Sequence, residues 1–214
     1  GTGDLVARVE GTADRLRGNA TVSFREGLER IPAPGEKRIS FRVPLSVDIA
    51  GEIGRGKEIR IDSFRFQAGR AETRGEGMLS LADGGLRLRG SVVVPSGKAM
   101  EYGLGDSLSW EKVEGTWQVA GTPDRRRAEA DLHVAALTAR SLPPLPLHVK
   151  LEGDPGEALH FVADVPDRAF KVTAVGTVSH PLNPSMARVE VTIAARDIDL
   201  SESARWFAAM SASL

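Results

Sequence analysis

The sequence predicts an all-β, mainly antiparallel fold of about twelve strands with two short helices. Apolar and polar residues alternate along most of the 214-residue chain, which is the pattern of strands that have one dry face and one wet face. The chain holds 23 glycines and 12 prolines, and these residue types favour frequent turns over long helices. Aromatic residues make up only 5% of the chain, so the predicted strands carry mostly aliphatic and small side chains.

Composition excludes several classes of function. With 28 Lys and Arg against 29 Asp and Glu, the formal net charge is −1, which does not suit a dedicated nucleic-acid-binding protein. The chain has no cysteine, so disulfides, thiolate metal sites and cysteine nucleophiles are excluded. No apolar run reaches the length of a membrane-spanning helix. We expect the chain to be a segment of a longer protein.

The clearest alternation covers residues 39–49, where every odd position is apolar. We predict one long strand here, with the apolar side chains on one face and the polar side chains on the other. Pro44 lies on the polar side and has no N–H to donate, which indicates an edge or a bulge at that position.

Asp83-Gly84 predicts a β-hairpin between two alternating segments, 73–81 and 86–94. Opposing residue 81 with residue 86 makes Asp83-Gly84 a two-residue loop of type I′, which needs the left-handed conformations that these residues tolerate. The alternation and the turn chemistry therefore predict the same register.

A second hairpin is predicted between segments 145–151 and 159–165. Opposing residue 151 with residue 159 leaves Asp154-Pro155-Gly156 as a three-residue loop with its glycine in the left-handed conformation. Two further alternating segments, 170–178 and 187–195, continue the antiparallel meander.

Two segments are predicted to be short helices. Residues 199–210 begin with capping residues and then place Ala204, Phe207 and Ala208 at helical spacing. The second segment covers residues 96–102 and is closed by Gly103.

An internal duplication organises the predicted strands. Residues 43–51 match residues 145–153, and Gly3-Asp4 matches Gly105-Asp106. All the matches keep their order along the chain, at offsets of 98–105 residues. We therefore predict a first repeat over 1–102 and a second over 103–214, each with a closing short helix, together forming one continuous structural unit.

The shared apolar face of these strands has two interpretations. In the first, apolar faces meet and fill one another, as in a closed barrel or a sandwich. In the second, the sheet curls into an open groove whose lining holds an apolar ligand, and small residues such as Gly75, Gly90 and Gly176 favour this because they leave volume unfilled. Both interpretations use the same side chains. The candidate lining consists of Ile39, Phe41, Val43, Leu45, Val47, Ile49, Leu79, Leu81, Leu86, Leu88, Leu147, Val149, Leu151, Leu159, Phe161, Val172, Val189, Val191 and Ile193.

Three features of the sequence resemble AsmA-like proteins, a family of Gram-negative cell envelopes that includes the TamB translocation and assembly module proteins. They are strands that alternate in the Leu145-Pro-Leu147 manner, the turn Leu151-Glu-Gly-Asp-Pro-Gly156, and a strand that ends Ala195-Arg-Asp-Ile-Asp-Leu-Ser201 before a short helix. The resemblance covers most of the chain and is strongest over residues 113–214.

The resemblance implies a curved, elongated, taco-like β-groove with a hydrophobic interior. Such proteins are anchored in the inner membrane, cross the periplasm, and carry phospholipids towards the outer membrane or assist outer-membrane protein assembly. This chain would be one periplasmic segment, with phospholipid or another acyl-chain ligand, outer-membrane assembly proteins and adjacent repeats of the full-length chain as its partners. The alternative is a non-lipid envelope scaffold or interaction module with a filled β core.

The four histidines are not predicted to bind a metal ion, because they are few and dispersed along the chain. They are His133, His148, His160 and His180, and we interpret them as solvated surface residues. The register of the second hairpin places His160 opposite Lys150, which is a poor position for a cation.

No catalytic or cofactor site is predicted either. Residues 51–57 have the glycine and lysine spacing of a phosphate-binding loop, but Glu58 stands where Ser or Thr is needed, so we predict a turn. Asp197 and Asp199 precede a predicted helix and are interpreted as capping residues. We therefore expect a protein that is not an enzyme and needs no cofactor.

Overall fold

The computed structural model describes most of the chain as β-strand. The described residues are 3–12, 15–25, 28–30, 39–41, 43–54, 57–98, 108–139, 144–166, 171–181, 186 and 188–196. All the regular secondary structure within these ranges is β-strand, so the all-β prediction is confirmed.

Twelve strands form one antiparallel sheet, and two short strands form a second. The strands are β1 (Gly3–Thr12), β2 (Arg15–Phe24), β3 (Leu28–Arg30), β4 (Ile39–Phe41), β5 (Leu45–Gly54), β6 (Glu58–Ala68), β7 (Ala71–Ser80), β8 (Leu86–Lys98), β9 (Leu108–Thr122), β10 (Arg125–Ala139), β11 (Leu145–Asp154), β12 (Ala158–Pro166), β13 (Lys171–Ser179) and β14 (Arg188–Arg196). The order in the large sheet is β1-β2-β5-β6-β7-β8-β9-β10-β11-β12-β13-β14, and β3 pairs with β4. Sequence neighbours therefore lie side by side, as a meander requires.

The prediction of a single strand over residues 39–49 is wrong, because the strand is interrupted around Pro44. Ile39–Phe41 forms β4 and pairs with β3, whereas the large sheet resumes only at Leu45. Proline has no N–H for a ladder, and the Pro44 carbonyl instead accepts a hydrogen bond of 2.8 Å from the Gly69 N–H. Pro44 thus ends one sheet and begins the other.

Contacts divide the chain into two compact units. The first comprises residues 1–93 and 116–128, and the second comprises residues 94–115 and 129–214. The predicted repeats over 1–102 and 103–214 stay a prediction.

In the first unit, the register places apolar residues opposite apolar residues. Val47 of β5 lies between Val22 of β2 and Phe66 of β6, and Leu79 of β7 lies between Ile59 and Leu86. Directly opposed residues share a face of a sheet, so the alternation of each strand adds to one continuous apolar face.

The second unit repeats this arrangement. Phe161 of β12 lies between Leu151 of β11 and Gly176 of β13, and Val165 lies opposite Val172. The opposite face carries the intervening polar residues, such as Lys150 and Glu152.

A β-bulge in β6 keeps its apolar residues on the shared face. The sequence alternates through Ile59 and Ile61 but changes phase to Phe64 and Phe66. The register shifts between Ile61 and Phe64, which inserts one extra residue at this point. All four side chains therefore lie on the apolar face.

Aromatic rings on the apolar face lie over glycines of the neighbouring strands. A Cβ built on Gly75 would lie 2.7 Å from two ring carbons of Phe64, and one built on Gly176 would lie 2.6 Å from Phe161 Cζ. In the first unit Trp117 lies 2.9 Å from the Cβ position of Gly90, and its Nε1–H donates to Thr73 Oγ1 at 2.8 Å. Each ring thus fills the space that the missing side chain leaves.

The predicted register of the first hairpin is wrong by two residues. Leu79, and not Leu81, lies opposite Leu86, and the Ser80 N–H donates to the Gly85 carbonyl at 2.7 Å. The cause is Asp83, whose Oδ1 accepts the Gly85 N–H at 2.9 Å and closes a wider turn.

The second hairpin is displaced in the same way. Leu151 lies opposite Phe161 and Asp154 opposite Ala158, so the three-residue loop begins at Pro155. Asp154 Oδ1 accepts the Gly156 N–H at 2.7 Å, which makes the aspartate the last residue before the turn. The positive φ falls on Gly153 (143°) and not on Gly156. Because both displacements equal two residues, the apolar faces are unchanged.

The shorter helix prediction is wrong over residues 96–98. Residues 96–98 belong to β8, since the alternation of residues 86–94 continues and the Trp110 Nε1–H donates to the Pro95 carbonyl at 2.9 Å. Residues 99–102 and the helix predicted over 199–210 lie outside the described residues.

Few side chains of the described residues are fully buried. Among the hydrophobic residues that the structure describes, only Leu45 and Val165 are buried, with 7% and 8% of their surface exposed. The other apolar side chains of the shared face are half-buried or exposed. In this part of the chain the sheet is therefore not covered by a second layer that would make a conventional core.

Gly75→Ala is expected to lower the free energy of unfolding by about 1–3 kcal/mol, because the new Cβ would collide with the Phe64 ring and the neighbouring backbone. Gly54→Ala is the matched control, since no heavy atom lies within 4 Å of its Cβ position. It is expected to be neutral or stabilising by less than about 1 kcal/mol. Urea unfolding measures both variants, and equal stabilities would contradict the close packing of Phe64 on Gly75.

Candidate functional site

Two candidate lining residues, Val43 and Leu81, lie outside the strands of the large sheet, and the candidates within its strands lie on the apolar face. Val43 precedes β5, and its side chain lies 3.2 Å from the Cβ position of Gly69. Leu81 lies in the turn after β7, where its N–H donates to the Lys57 carbonyl at 2.7 Å. Ile39 and Phe41 belong to the separate sheet of β3 and β4, and their side chains lie outside the described residues.

Exposure of the lining varies with position in the sheet. Val47, Leu88 and Leu151 lie on inner strands and are half-buried, whereas Ile193 on β14 is 69% exposed. The difference arises because, among the described strands, β14 is the last in the order and pairs only with β13.

Several apolar residues of the same face were missed by the sequence analysis. Leu5 and Val9 of β1 are exposed beside β2, and Phe64, Phe66 and Trp117 lie on inner strands. Alternation in residues 3–12 was the available signal for β1. In β6 the phase change at the bulge hid the pattern.

Arginines and carboxylates of neighbouring strands pair on the polar face of the first unit. Arg15 Nε donates to Glu52 Oε1 at 2.6 Å, and Arg17 Nε donates to Glu52 Oε2 at 2.9 Å. The hydrogen bond from Arg15, followed by that from Arg17, lowers the pKa of Glu52 to about 2. Glu72 is held similarly between Arg65 and Arg74, and the Arg74 hydrogen bond is the main cause that lowers its pKa.

A depression of about 420 Å³ lies on this polar face, over β1, β2, β5 and β6. Its lining residues are Arg8, Glu10, Arg17, Gly18, Asn19, Ala50, Gly51 and Asp62. Charged side chains of both signs dominate the lining, so it does not suit an acyl chain.

Two histidines that the sequence analysis treated as separate come together on the polar face of the second unit. His148 Nε2 lies 2.6 Å from Asp131 Oδ1, and His133 Nε2 lies 3.6 Å from the same oxygen. The two imidazole rings stack with their centroids 4.3 Å apart and their planes within 3°. The hydrogen bond with His148 is the main cause that lowers the pKa of Asp131, and Lys150 also contributes.

Three other features considered in the sequence are His160, the predicted turn over residues 51–57, and the pair Asp197 and Asp199. His160 lies opposite Glu152, not Lys150, and its Nδ1 lies 3.0 Å from Thr177 Oγ1. The turn predicted over residues 51–57 is wrong for residues 51–54, which complete β5, and β6 begins at Glu58, so a strand and not a helix follows. Asp197 and Asp199 lie outside the described residues.

Comparisons with family models, with curated proteins and with solved structures find no significant match to this chain. Among the residues that the structure describes, no helix is long and apolar enough to cross a membrane.

Glu52 is expected to titrate near pH 2 instead of its ordinary value of 4.5. Because its pKa is lower in the folded chain, the ion pairs stabilise the fold above about pH 4.5, and this contribution is lost as the pH falls towards 2. NMR of the side-chain carboxyl carbon measures the pKa directly.

Arg15→Gln should raise the pKa of Glu52 more than Arg17→Gln, because the Arg15 hydrogen bond is the larger cause. Arg8→Gln is the control, since Arg8 pairs with Glu10 at 3.3 Å and not with Glu52. Titration of Glu52 near 4.5 in the unaltered chain would contradict the paired geometry.

Proposed function

We propose that this chain is a periplasmic segment of an AsmA-like bridge protein, and that its apolar sheet face binds the acyl chains of phospholipids. The observation that carries the proposal is the apolar face itself. It extends across neighbouring strands in each unit, yet only Leu45 and Val165 among the described hydrophobic residues are buried. An extended apolar face left in contact with water is typical of a surface that binds an apolar partner.

The composition of this face supports a chain-like ligand. Its side chains are mostly aliphatic, and its aromatic rings lie over glycines, as Phe64 does over Gly75 and Phe161 over Gly176. Rings placed in this way fill gaps in the layer. An acyl chain would be held without directional bonds, at about 0.8 kcal/mol for each buried CH₂ group.

The separation of charge supports the same proposal. The ion pairs of Glu52 and Glu72 lie on the polar face of the first unit, as do the charges around the depression. None of the candidate lining residues is charged, so a bound acyl chain would contact few polar groups along these residues.

A second candidate function is strand addition at the ends of the sheet. Strand β1 is the first in the order, and all ten of its residues are exposed. An edge strand offers unpaired N–H and C=O groups to another chain, which an envelope scaffold or an adjacent repeat could use. A filled β core, which the scaffold alternative included, does not fit the burial of the described residues.

Val149→Glu is expected to abolish binding of acyl chains, because it places a charge on the apolar face beside Ala163. Val162→Glu is the matched control: Val162 lies on the adjacent strand, opposite Lys150, on the polar face. Native mass spectrometry of the chain from a Gram-negative host, together with uptake of a fluorescent fatty acid, measures binding.

The proposal predicts that phospholipid accompanies the unaltered chain and the Val162 variant but not the Val149 variant. Val191→Glu repeats the test at a residue that is already exposed and should not disturb folding. Absence of lipid and of fatty-acid uptake in the unaltered chain, or equal binding by all variants, would overturn it.

A further inference from the structure

Three side chains that commonly bind metal ions converge on the polar face of the second unit. Asp131 and His133 are two residues apart on β10, so they project from the same face of that strand. His148 comes from β11, the next strand in the sheet order. The intervening Leu132 faces the other way, where it lies against Gly115. The cluster is therefore separate from the apolar face.

The ligand atoms of the three residues point towards one small volume. Both imidazole Nε2 atoms approach the same carboxylate oxygen, Asp131 Oδ1, at 2.6 and 3.6 Å. One nitrogen or oxygen of each residue lies within 4.8 Å of those of the other two. In a tetrahedral site with bonds of about 2.1 Å, ligand atoms are about 3.4 Å apart, so small side-chain rotations would complete the geometry.

His160 provides a contrast on the same polar face of this unit. Its Nδ1 lies 3.0 Å from the hydroxyl of Thr177, a neutral partner, and it belongs to no group of three ligating residues among those that the structure describes. His133 and His148 instead stack on one another and share a carboxylate. Because both Nε2 atoms approach the same carboxylate oxygen, rotation of the stacked rings about their side-chain bonds would direct both nitrogens at a single cation.

We propose that Asp131, His133 and His148 bind a divalent first-row transition ion, with Zn²⁺ as the reference ion. Two neutral imidazoles and one carboxylate are ligands that Zn²⁺ accepts at three positions, and imidazole selects against Mg²⁺ and Ca²⁺, which prefer oxygen. Each histidine coordinates through Nε2 and keeps its remaining proton on Nδ1. The side chains are partly exposed, so the ion enters from solution and water occupies its remaining positions.

The site would link β10 to β11 on the polar face. Such a link is expected to stabilise the folded chain in proportion to the free ion concentration, because the unfolded chain has no preformed site. Neither this effect nor metal binding depends on whether the apolar face binds lipid.

Isothermal titration calorimetry with ZnCl₂ tests the site, on the chain freed of any histidine tag and of chelators. We expect one saturable site per chain, with an affinity that falls about tenfold or more in His133→Ala, in His148→Ala and in Asp131→Asn. His160→Ala is the matched control and should bind as the unaltered chain does. Thermal unfolding without metal checks that each variant is folded.

NMR of the imidazole nitrogens of the unaltered chain locates the ion without any substitution. Zn²⁺ should shift Nε2 of His133 and His148 and leave His160 and His180 unchanged. Absence of saturable binding would overturn the proposal, as would equal loss in the His160 variant or unchanged affinity when both His133 and His148 are replaced.

Discussion

The constraint on which the structure depends is that apolar residues oppose apolar residues across neighbouring strands. Val47 between Val22 and Phe66, and Phe161 between Leu151 and Gly176, illustrate it in the two units. A slip of one residue would transfer every apolar side chain of a strand to the polar face, whereas a slip of two preserves the faces. Both hairpins differ from the sequence prediction by two residues, and the bulge in β6 corrects the one strand whose sequence changes phase.

A sheet that does not bury its apolar face under a second layer must be packed within its own layer. Aromatic rings over cross-strand glycines supply such packing. Two of these rings, Phe64 and Trp117, also contact each other, with their centroids 5.6 Å apart. On the polar face, carboxylates such as Glu52 accept hydrogen bonds from arginines of the neighbouring strand. Exposed ion pairs contribute little individually, so these pairs add only modestly to the stability of the sheet. The two faces therefore differ in chemistry, since one is apolar and the other carries the paired charges.

The sequence was sufficient to predict what depends on local pattern. Strand identity and face follow from alternation, and both are confirmed for most of the described residues. The exceptions are the interruption at Pro44, the turn predicted over residues 51–54, the end of β7 before Leu81, and the shorter helix. Register was not predictable, because hydrogen bonds from Gly85 to Asp83 and from Gly156 to Asp154 set where each turn begins. The Asp131–His133–His148 cluster was missed for a similar reason. It requires the relative position of β10 and β11; the two prolines at 143 and 144 indicate a loop there but do not fix the register of the two strands.

The role of the apolar face is tested most directly by NMR of the methyl-labelled chain with a nitroxide-labelled fatty acid. Binding of the acyl chain on this face predicts that methyl signals of Leu147, Val149 and Leu151 broaden more strongly than those of Val162 and Val175 on the polar face. The comparison is internal, because all five residues lie in one unit and on neighbouring strands. Equal broadening on the two faces, or none on either, would contradict the proposal that the apolar face holds acyl chains.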